Sequence, residues 1–431
     1  MNVRKLALDT LSKCESAAQY SNLALDSKIK KFNITGEDRS LFTVLVYGTI
    51  EHKLTLDYYI DALSSIPSDK IEPATRNILR LGLFQIIFMR TADHAAVNET
   101  VSLAPQRSRG YVNAILRNFL RRREEIALPD DKESLMSVKY SFPKETCRKF
   151  IDAFGSDETE KLLSAMNEPP KMTLRVNTLR ISRDALLEKL SAAGIGAQST
   201  EISPFGIRLT ENIPYSELEA MAGGEFFIQD EASQISTAVL DPHSGDRVID
   251  MCSCPGSKAF GAAIAMENKG ELFAFDLSKS KLPLINSGAK RLGIDVIRAD
   301  VHDGREFIPQ LEGTADRIIC DVPCSGFGVI AKKPEIRYKD IKSAASLPDI
   351  QYDILCNAAR YLKKKGVMVY STCTILPEEN EENIRRFLSS HPHLKAVPFT
   401  VGPLSAESGM ITLLPHVHGT DGFFICKLIR R

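Results

Sequence analysis

Apolar positions in the first 127 residues recur every three or four residues, as in V-R-K-L-A-L-D-T-L and R-N-I-L-R-L-G-L-F-Q-I-I-F, the spacing of one helix face. No strand-like alternation appears before about residue 171. Turn signals at Ile34-Thr35-Gly36-Glu37, Ser65-Ile66-Pro67-Ser68 and Leu128-Pro129-Asp130 divide the stretch into separate helices. Thr35 stands where it would cap the helix carrying Leu41, Val44 and Leu45. The pattern predicts an all-α bundle over residues 1–127. Residues 128–222 read as a small α+β module. Helices are expected around Glu145–Phe154 and Glu158–Met166, Pro169-Pro170 ends them, and K-M-T-L-R-V-N-T-L reads as a strand. A helix from Ser182 to Ala193 and strands near Gly206–Leu209 and Glu225–Ile228 follow. Arg175 and Asn177 are polar residues within a strand, expected either on an exposed face or in contact with RNA.

Over residues 223–431 strands and helices alternate, the mark of a Rossmann-like α/β domain with a mostly parallel sheet. Strand Arg247–Asp250 runs into M-C-S-C-P-G-S-K and a helix of small residues from Ala259 to Ala265. Strand Glu271–Phe275 ends at Asp276. Two further apolar runs, Arg317–Cys320 and Val367–Tyr370, read as buried parallel strands. The fold class is therefore multidomain: an all-α bundle, an α+β module, then an α/β domain.

Composition adds exclusions. The chain has 431 residues, 43% hydrophobic and 26% charged, ordinary for a globular protein. No apolar run is long enough for a membrane span, and the N-terminus lacks a signal-peptide core. Nine cysteines, an odd number spread over a long chain, do not form a disulfide framework. A cytoplasmic monomer with reduced thiols is expected, without membrane contact. Zero net charge argues against nonspecific coating of nucleic acid. Residues 1–150 nevertheless hold 23 Lys or Arg against 18 Asp or Glu. Arg117, Arg121, Arg122 and Arg123, with Arg107 and Arg109 upstream, form either a solvated helix face or a phosphate-contacting patch.

The candidate chemistry lies in two loops, D-V-P-C-S-G with Cys324 and Y-S-T-C-T with Cys373. Each follows a predicted parallel strand, so both thiols belong at the carboxyl edge of the sheet, where open α/β folds hold ligands. Methylation of carbon 5 of a pyrimidine needs a thiol in such a place. The carbon is a poor nucleophile until a thiolate adds to carbon 6. After methyl transfer the adduct must lose a proton and expel the thiol, and a second cysteine can assist. Chemistry alone does not say which cysteine does which.

A glycine-containing loop after the first strand, with Asp276 twenty residues beyond Gly256, suits an adenosine-bearing cofactor whose ribose hydroxyls bond a carboxylate. G-x-G-x-x-G is absent, so a phosphate-free cofactor, S-adenosylmethionine, fits better than NAD. Asp303 and Asp321 also follow strand ends, and Asp300 competes with Asp303 for the third-strand role. No metal is expected: Cys252-x-Cys254 and Cys320-x-x-x-Cys324 have only His302 nearby, short of a zinc set. Glu378 to Glu382, after Pro377, read as the acidic first turn of a helix leading to Phe387.

These motifs carry a resemblance. D-M-C-S-C-P-G-S-K, D-R-I-I-C-D-V-P-C-S-G-F-G-V, K-K-P-E-I-R-Y, Y-S-T-C-T-I-L-P-E-E-N-E-E-N and G-T-D-G-F-F-I-C-K-L resemble, in order, the motifs of RNA cytosine-5 methyltransferases. D-H-A-A-V-N-E-T-V-S-L-A and G-Y-V-N-A-I-L-R-N-F resemble the NusB-like domain of the RsmB (Sun/Fmu) family, and N-E-P-P-K-M-T-L-R-V-N and F-I-Q-D-E-A-S in the middle segment also resemble that family. The resemblance implies that Cys373 is the nucleophile and that Cys324 assists product release. It implies that Cys252, Ser253, Cys254, Pro255, Gly256, Ser257 and Lys258, with Asp276, Asp303 and Asp321, hold S-adenosylmethionine. It also implies that the partner is 16S rRNA, free or partly assembled, methylated on carbon 5 of cytosine 967. The alternatives are a cytosine-5 methyltransferase of tRNA or another RNA, and a non-catalytic RNA-binding scaffold. The sequence departs from the usual C-A-A-P-G-G-K loop at Ser253, Cys254 and Ser257. Ser257 is the departure that matters if that position requires positive φ. Ala331 stands where arginine is common, removing one expected RNA contact.

Overall fold

The computed structural model describes residues 2–17, 21–89, 91–211, 213 and 215–431. The chain divides into two compact units, Met1–Glu168 with Ile330–Ile341, and Pro169–Val329 with Lys342–Arg431. Among the described residues no helix is long and apolar enough to cross a membrane.

The first unit is helical. Val3–Ala17, Gly36–Glu51, Lys53–Leu63 and Gln106–Arg122 surround Pro73–Phe88, whose residues Asn77 to Ile86 are all buried. A helix buried all round needs this apolar composition. Thr35 occupies the N-cap position of Gly36–Glu51, but its side chain makes no capping bond. Helix Lys132–Tyr140, absent from the sequence expectation, is capped by Asp131, which accepts from the Ser134 amide at 2.8 Å. Arg107, Arg109, Arg117, Arg121, Arg122 and Arg123 are exposed. Three of them are partly neutralised by Glu72, Glu125 and Glu124.

K-K-P-E-I-R-Y belongs to this helical unit. Arg337 is fully buried, with its guanidinium 4.6 Å from the Phe142 ring. It donates to the Glu51 carbonyl at 3.0 Å and to Asn167 Oδ1 at 2.8 Å. The Tyr338 hydroxyl donates to the Ile50 carbonyl at 2.7 Å, and Glu335 accepts from the Ser21 hydroxyl at 2.8 Å.

The second unit opens with an antiparallel sheet of β1 (Thr173–Val176), β2 (Ala197–Ser199), β3 (Gly206–Leu209) and β4 (Phe226–Ile228), in the order β2-β3-β1-β4. Every β1 residue is buried, which corrects the expected placement of Arg175 and Asn177. Neither lies on an exposed face or is free to meet RNA. Asn177 donates to the Gly224 and Leu292 carbonyls at 2.7 and 2.9 Å. Arg175 packs on the Phe205 ring and donates to the Gly261 carbonyl at 3.3 Å. Both side chains satisfy backbone acceptors inside the unit, as buried polar groups must.

The main sheet contains β5 (Arg247–Asp250), β6 (Glu271–Asp276), β7 (Ile297–Val301), β8 (Ala315–Asp321), β9 (Leu362–Thr372) and β10 (Leu394–Ala396). A separate hairpin, β11 (Phe399–Val401) and β12 (Leu404–Ala406), precedes β13 (Met410–Leu413) and β14 (Phe423–Arg430). The main order is β10-β14-β9-β8-β5-β6-β7, with β13 on β14. β5 to β9 pair in parallel, and β14 pairs antiparallel with β9. The chain moves outward from β5 on one side through β6 and β7, then resumes on the other at β8. That reversal between β5 and β8 is the topological switch point, where such sheets open a ligand crevice.

Candidate active site

Cys324 follows the end of β8 and Cys373 directly follows β9, so adjacent parallel strands deliver the two thiols to one sheet edge. Their sulfurs lie 3.2 Å apart. The two loops also bond each other directly. The Gly328 amide donates to the Cys373 carbonyl at 2.9 Å, and the Gly422 amide donates to the Gly328 carbonyl at 2.8 Å. A Cβ on Gly328 would lie only 1.8 Å from the Gly422 carbonyl oxygen, so this crossing requires glycine. The contact with Cys373, followed by burial, raises the Cys324 thiol well above its ordinary range.

Beside the thiols, the M-C-S-C-P-G-S-K loop turns tightly between β5 and helix Ser257–Ala265. The Ser253 amide donates to the Phe275 carbonyl at 2.7 Å, and the Gly256 amide donates to the Ser253 carbonyl at 2.6 Å. Pro255 is exposed, and its bond to Cys254 is cis. The positive φ, +106°, falls on Gly256, and a Cβ there would meet the Phe260 ring at 2.6 Å. Ser257 has no positive φ and begins the helix, so serine is compatible with the turn.

The acids approach this loop from three strand ends. Asp276 accepts from the Cys254 amide at 3.2 Å and the Ser278 amide at 2.9 Å. Asp321 accepts from Lys258 Nζ at 2.7 Å and the Ser371 hydroxyl at 2.8 Å. Asp303 pairs with Arg305 at 2.6 Å, whose hydrogen bonds hold its carboxyl below the usual range. Burial, then the charges of Asp250, Asp321, Asp276 and Asp303, push the Cys252 thiol far up. Asp300 is exposed and, among the described residues, accepts from the adjacent Val301 amide.

Two acids at this edge escaped the sequence reading. Glu379 was expected to serve a helix dipole, but the helix begins at Glu381. Glu379 is 1% exposed and accepts from the Ser325 amide at 3.0 Å and Gln351 Nε2 at 2.8 Å, bracing the Cys324 loop from below. Glu381 and Glu382 do lie in the first turn. Asp250, the last residue of β5, is also 1% exposed. A single buried acid in an acidic run has no periodic signature. Asp250 carried one available signal, a carboxylate ending an otherwise apolar strand.

Three family models match the chain: the NusB family over residues 1–121, the RsmF/B-like ferredoxin-like domain over 142–216, and the 16S rRNA methyltransferase RsmB/F over 237–429. The chain is 37% identical over 447 residues to the probable ribosomal RNA small subunit methyltransferase B of Bacillus subtilis (strain 168), covering 100% of this chain and 99% of that one. It is 32% identical to the ribosomal RNA small subunit methyltransferase B of Yersinia enterocolitica over 439 residues, again covering 100% and 99%. The crystal structure of PH0851 superposes with a TM-score of 0.83 at 27% identity, covering 99% of this chain and 98% of that one. With all three modules matched and full-length relatives above 30% identity, the chain belongs to the RsmB/F family of ribosomal RNA small subunit methyltransferases.

Proposed function

We propose that this protein methylates carbon 5 of a cytosine in 16S rRNA, of the cytosine 967 type, through a covalent bond to Cys373, with S-adenosylmethionine as methyl donor. The observation that carries the reading is the 3.2 Å pair of thiols at the carboxyl edge of β8 and β9, beside a loop surrounded by carboxylates.

The donor set suits that cofactor. Asp276 already gathers loop amides and keeps lone pairs for ribose hydroxyls, while the other carboxylates favour a cationic amino-acid end. When bound, S-adenosylmethionine supplies an electrophilic methyl group. The chain's own residues do the rest. Cys373, as thiolate, forms a bond from sulfur to carbon 6, and the ring's double-bond electrons pass to carbon 5, which takes the methyl. Carbon 5 then loses its proton, the double bond reforms, and the bond from Cys373 to carbon 6 breaks. Cys324 is the group placed beside the departing sulfur to assist this step. The 3.2 Å separation supports the assignment, because a thiol this close to Cys373 can donate to the departing sulfur. Asp321, held by Lys258 and Ser371, would touch the base. The cytosine must leave any helical stack to reach these groups.

The substrate is tested by methyl transfer from labelled cofactor to separated 16S, 23S and tRNA pools, with mapping of 5-methylcytidine. Label in 16S rRNA, one methyl on the base, is the expected result. Label mainly in tRNA would reject the 16S assignment, and a ribose methyl would reject the two-cysteine chemistry. Cofactor binding without transfer to any pool would favour the RNA-binding scaffold.

A further inference from the structure

Asp250 is the one acid at the cofactor edge whose structural partners do not account for it. Its side chain is 1% exposed, and neither carboxylate oxygen has a hydrogen-bond partner among the described residues. The neighbouring acids are engaged: Asp276 by two amides, Asp321 by Lys258 and Ser371, and Asp303 by Arg305. Lys258, the nearby cation, is drawn to Asp321 at 2.7 Å. A buried carboxylate without a donor is costly in its ionised form, yet this one sits one residue before the loop that the cofactor reading places against the ligand. The adjacent Ser253 hydroxyl is buried and unpartnered as well.

Resting on that cofactor reading, we propose that Asp250 is a proton-linked binding residue. It carries a proton in the ligand-free protein and releases it to solvent when the cationic end of S-adenosylmethionine enters, leaving a carboxylate to face the positive charge. The groups acting on Asp250 are Cys252, Ser253 and Lys258 from its own loop and helix, and Asp321 and Cys320 from β8. Burial, reinforced by the charge of Asp321, raises its carboxyl to about 7 against the pull of Lys258 and of the adjacent Ser253 and Cys252, none of which meets hydrogen-bond geometry with it. A cation beside it favours the ionised form and lowers that value. Binding therefore expels a proton, and affinity rises with pH up to the ligand-free value, then levels off.

The test is calorimetric titration of the full chain with S-adenosylmethionine, without RNA, from about pH 5.5 to about pH 8.5 and in buffers of different ionisation heat. The wild-type protein should release up to one proton, and its affinity should climb by up to about tenfold per pH unit below about pH 7. Asp250→Asn should lose that climb and bind roughly tenfold more weakly near pH 8. The cofactor's own amino group titrates near 7.7–8.0 against both proteins, so the difference between the profiles belongs to Asp250. Wild-type binding without proton release overturns the inference whether or not the variant folds. An Asn variant that releases as many protons as the wild type overturns it too. Failure of the wild-type protein to bind at any pH would reject the cofactor reading itself.

Discussion

The sulfurs of Cys324 and Cys373 lie 3.2 Å apart across 49 residues of sequence, closer than two unbonded sulfurs usually approach and well beyond the roughly 2.05 Å of a disulfide. The proposed nucleophile and the thiol that assists its release are thus in direct contact. Hydrogen peroxide should exploit this. It would take two electrons and two protons from the pair, join the sulfurs and leave two waters. Treated enzyme should lose methyl transfer and regain it with dithiothreitol, and peptide mapping should find Cys324 linked to Cys373. Inactivation that thiols do not reverse, without the linked peptide, would contradict the geometry.

Glu379 braces the Cys324 loop through the Ser325 amide and Gln351. Glu379→Ala removes the acceptor of the buried Ser325 amide and one of the two acceptors of Gln351 Nε2, which keeps the Pro323 carbonyl at 2.9 Å, at a cost of about 1–3 kcal/mol. Thermal unfolding should show the loss. In the folded variant the methyl-transfer rate should fall while S-adenosylmethionine affinity stays near wild type. A variant with normal rate and normal melting would show that the brace is dispensable.

Asp276→Ala should weaken S-adenosylmethionine binding by about 1.5–3 kcal/mol, the scale of hydrogen bonds to a charged group. Calorimetric titration of both proteins without RNA measures it. Equal affinities would place the ribose elsewhere.

Arg337 has buried partners throughout the helical unit, including the Glu51 carbonyl and Asn167. Arg337→Ala should destabilise that unit by about 3–5 kcal/mol. Arg337→Lys should not rescue it fully, because lysine cannot reproduce the planar donor set. A melting profile unchanged by either substitution would contradict this anchoring. Truncation at residue 127 would leave Arg337 and Tyr338 without Glu51 and Ile50, so point substitutions are the cleaner probe of this unit.

The sequence revealed features governed by local rules. The parallel strands were legible because short apolar runs end in loops of small and polar residues, and this placed Cys324 and Cys373 at one edge. Features set by distant packing were hidden. Arg175 reads as polar, yet the carbonyl of Gly261, far along the chain, keeps it inside. Glu379 has the same charge as its neighbours in an acidic run, and only contacts from Ser325 and Gln351 distinguish it. The helix at Lys132–Tyr140 was masked by the turn signal just before it, although Asp131 is an ordinary cap. Ser257 appeared to threaten the cofactor loop because sequence alone does not say which residue bears the positive φ.

The central claim is the division of labour between the two thiols. The direct measurement is a denaturing gel of enzyme incubated with 16S rRNA and S-adenosylmethionine. Cys324→Ala should stall after addition and give a protein–RNA band that survives denaturation. Cys373→Ala should give no band and no methyl transfer. A band formed by Cys373→Ala in place of Cys324→Ala, or full activity of Cys373→Ala, would contradict the account.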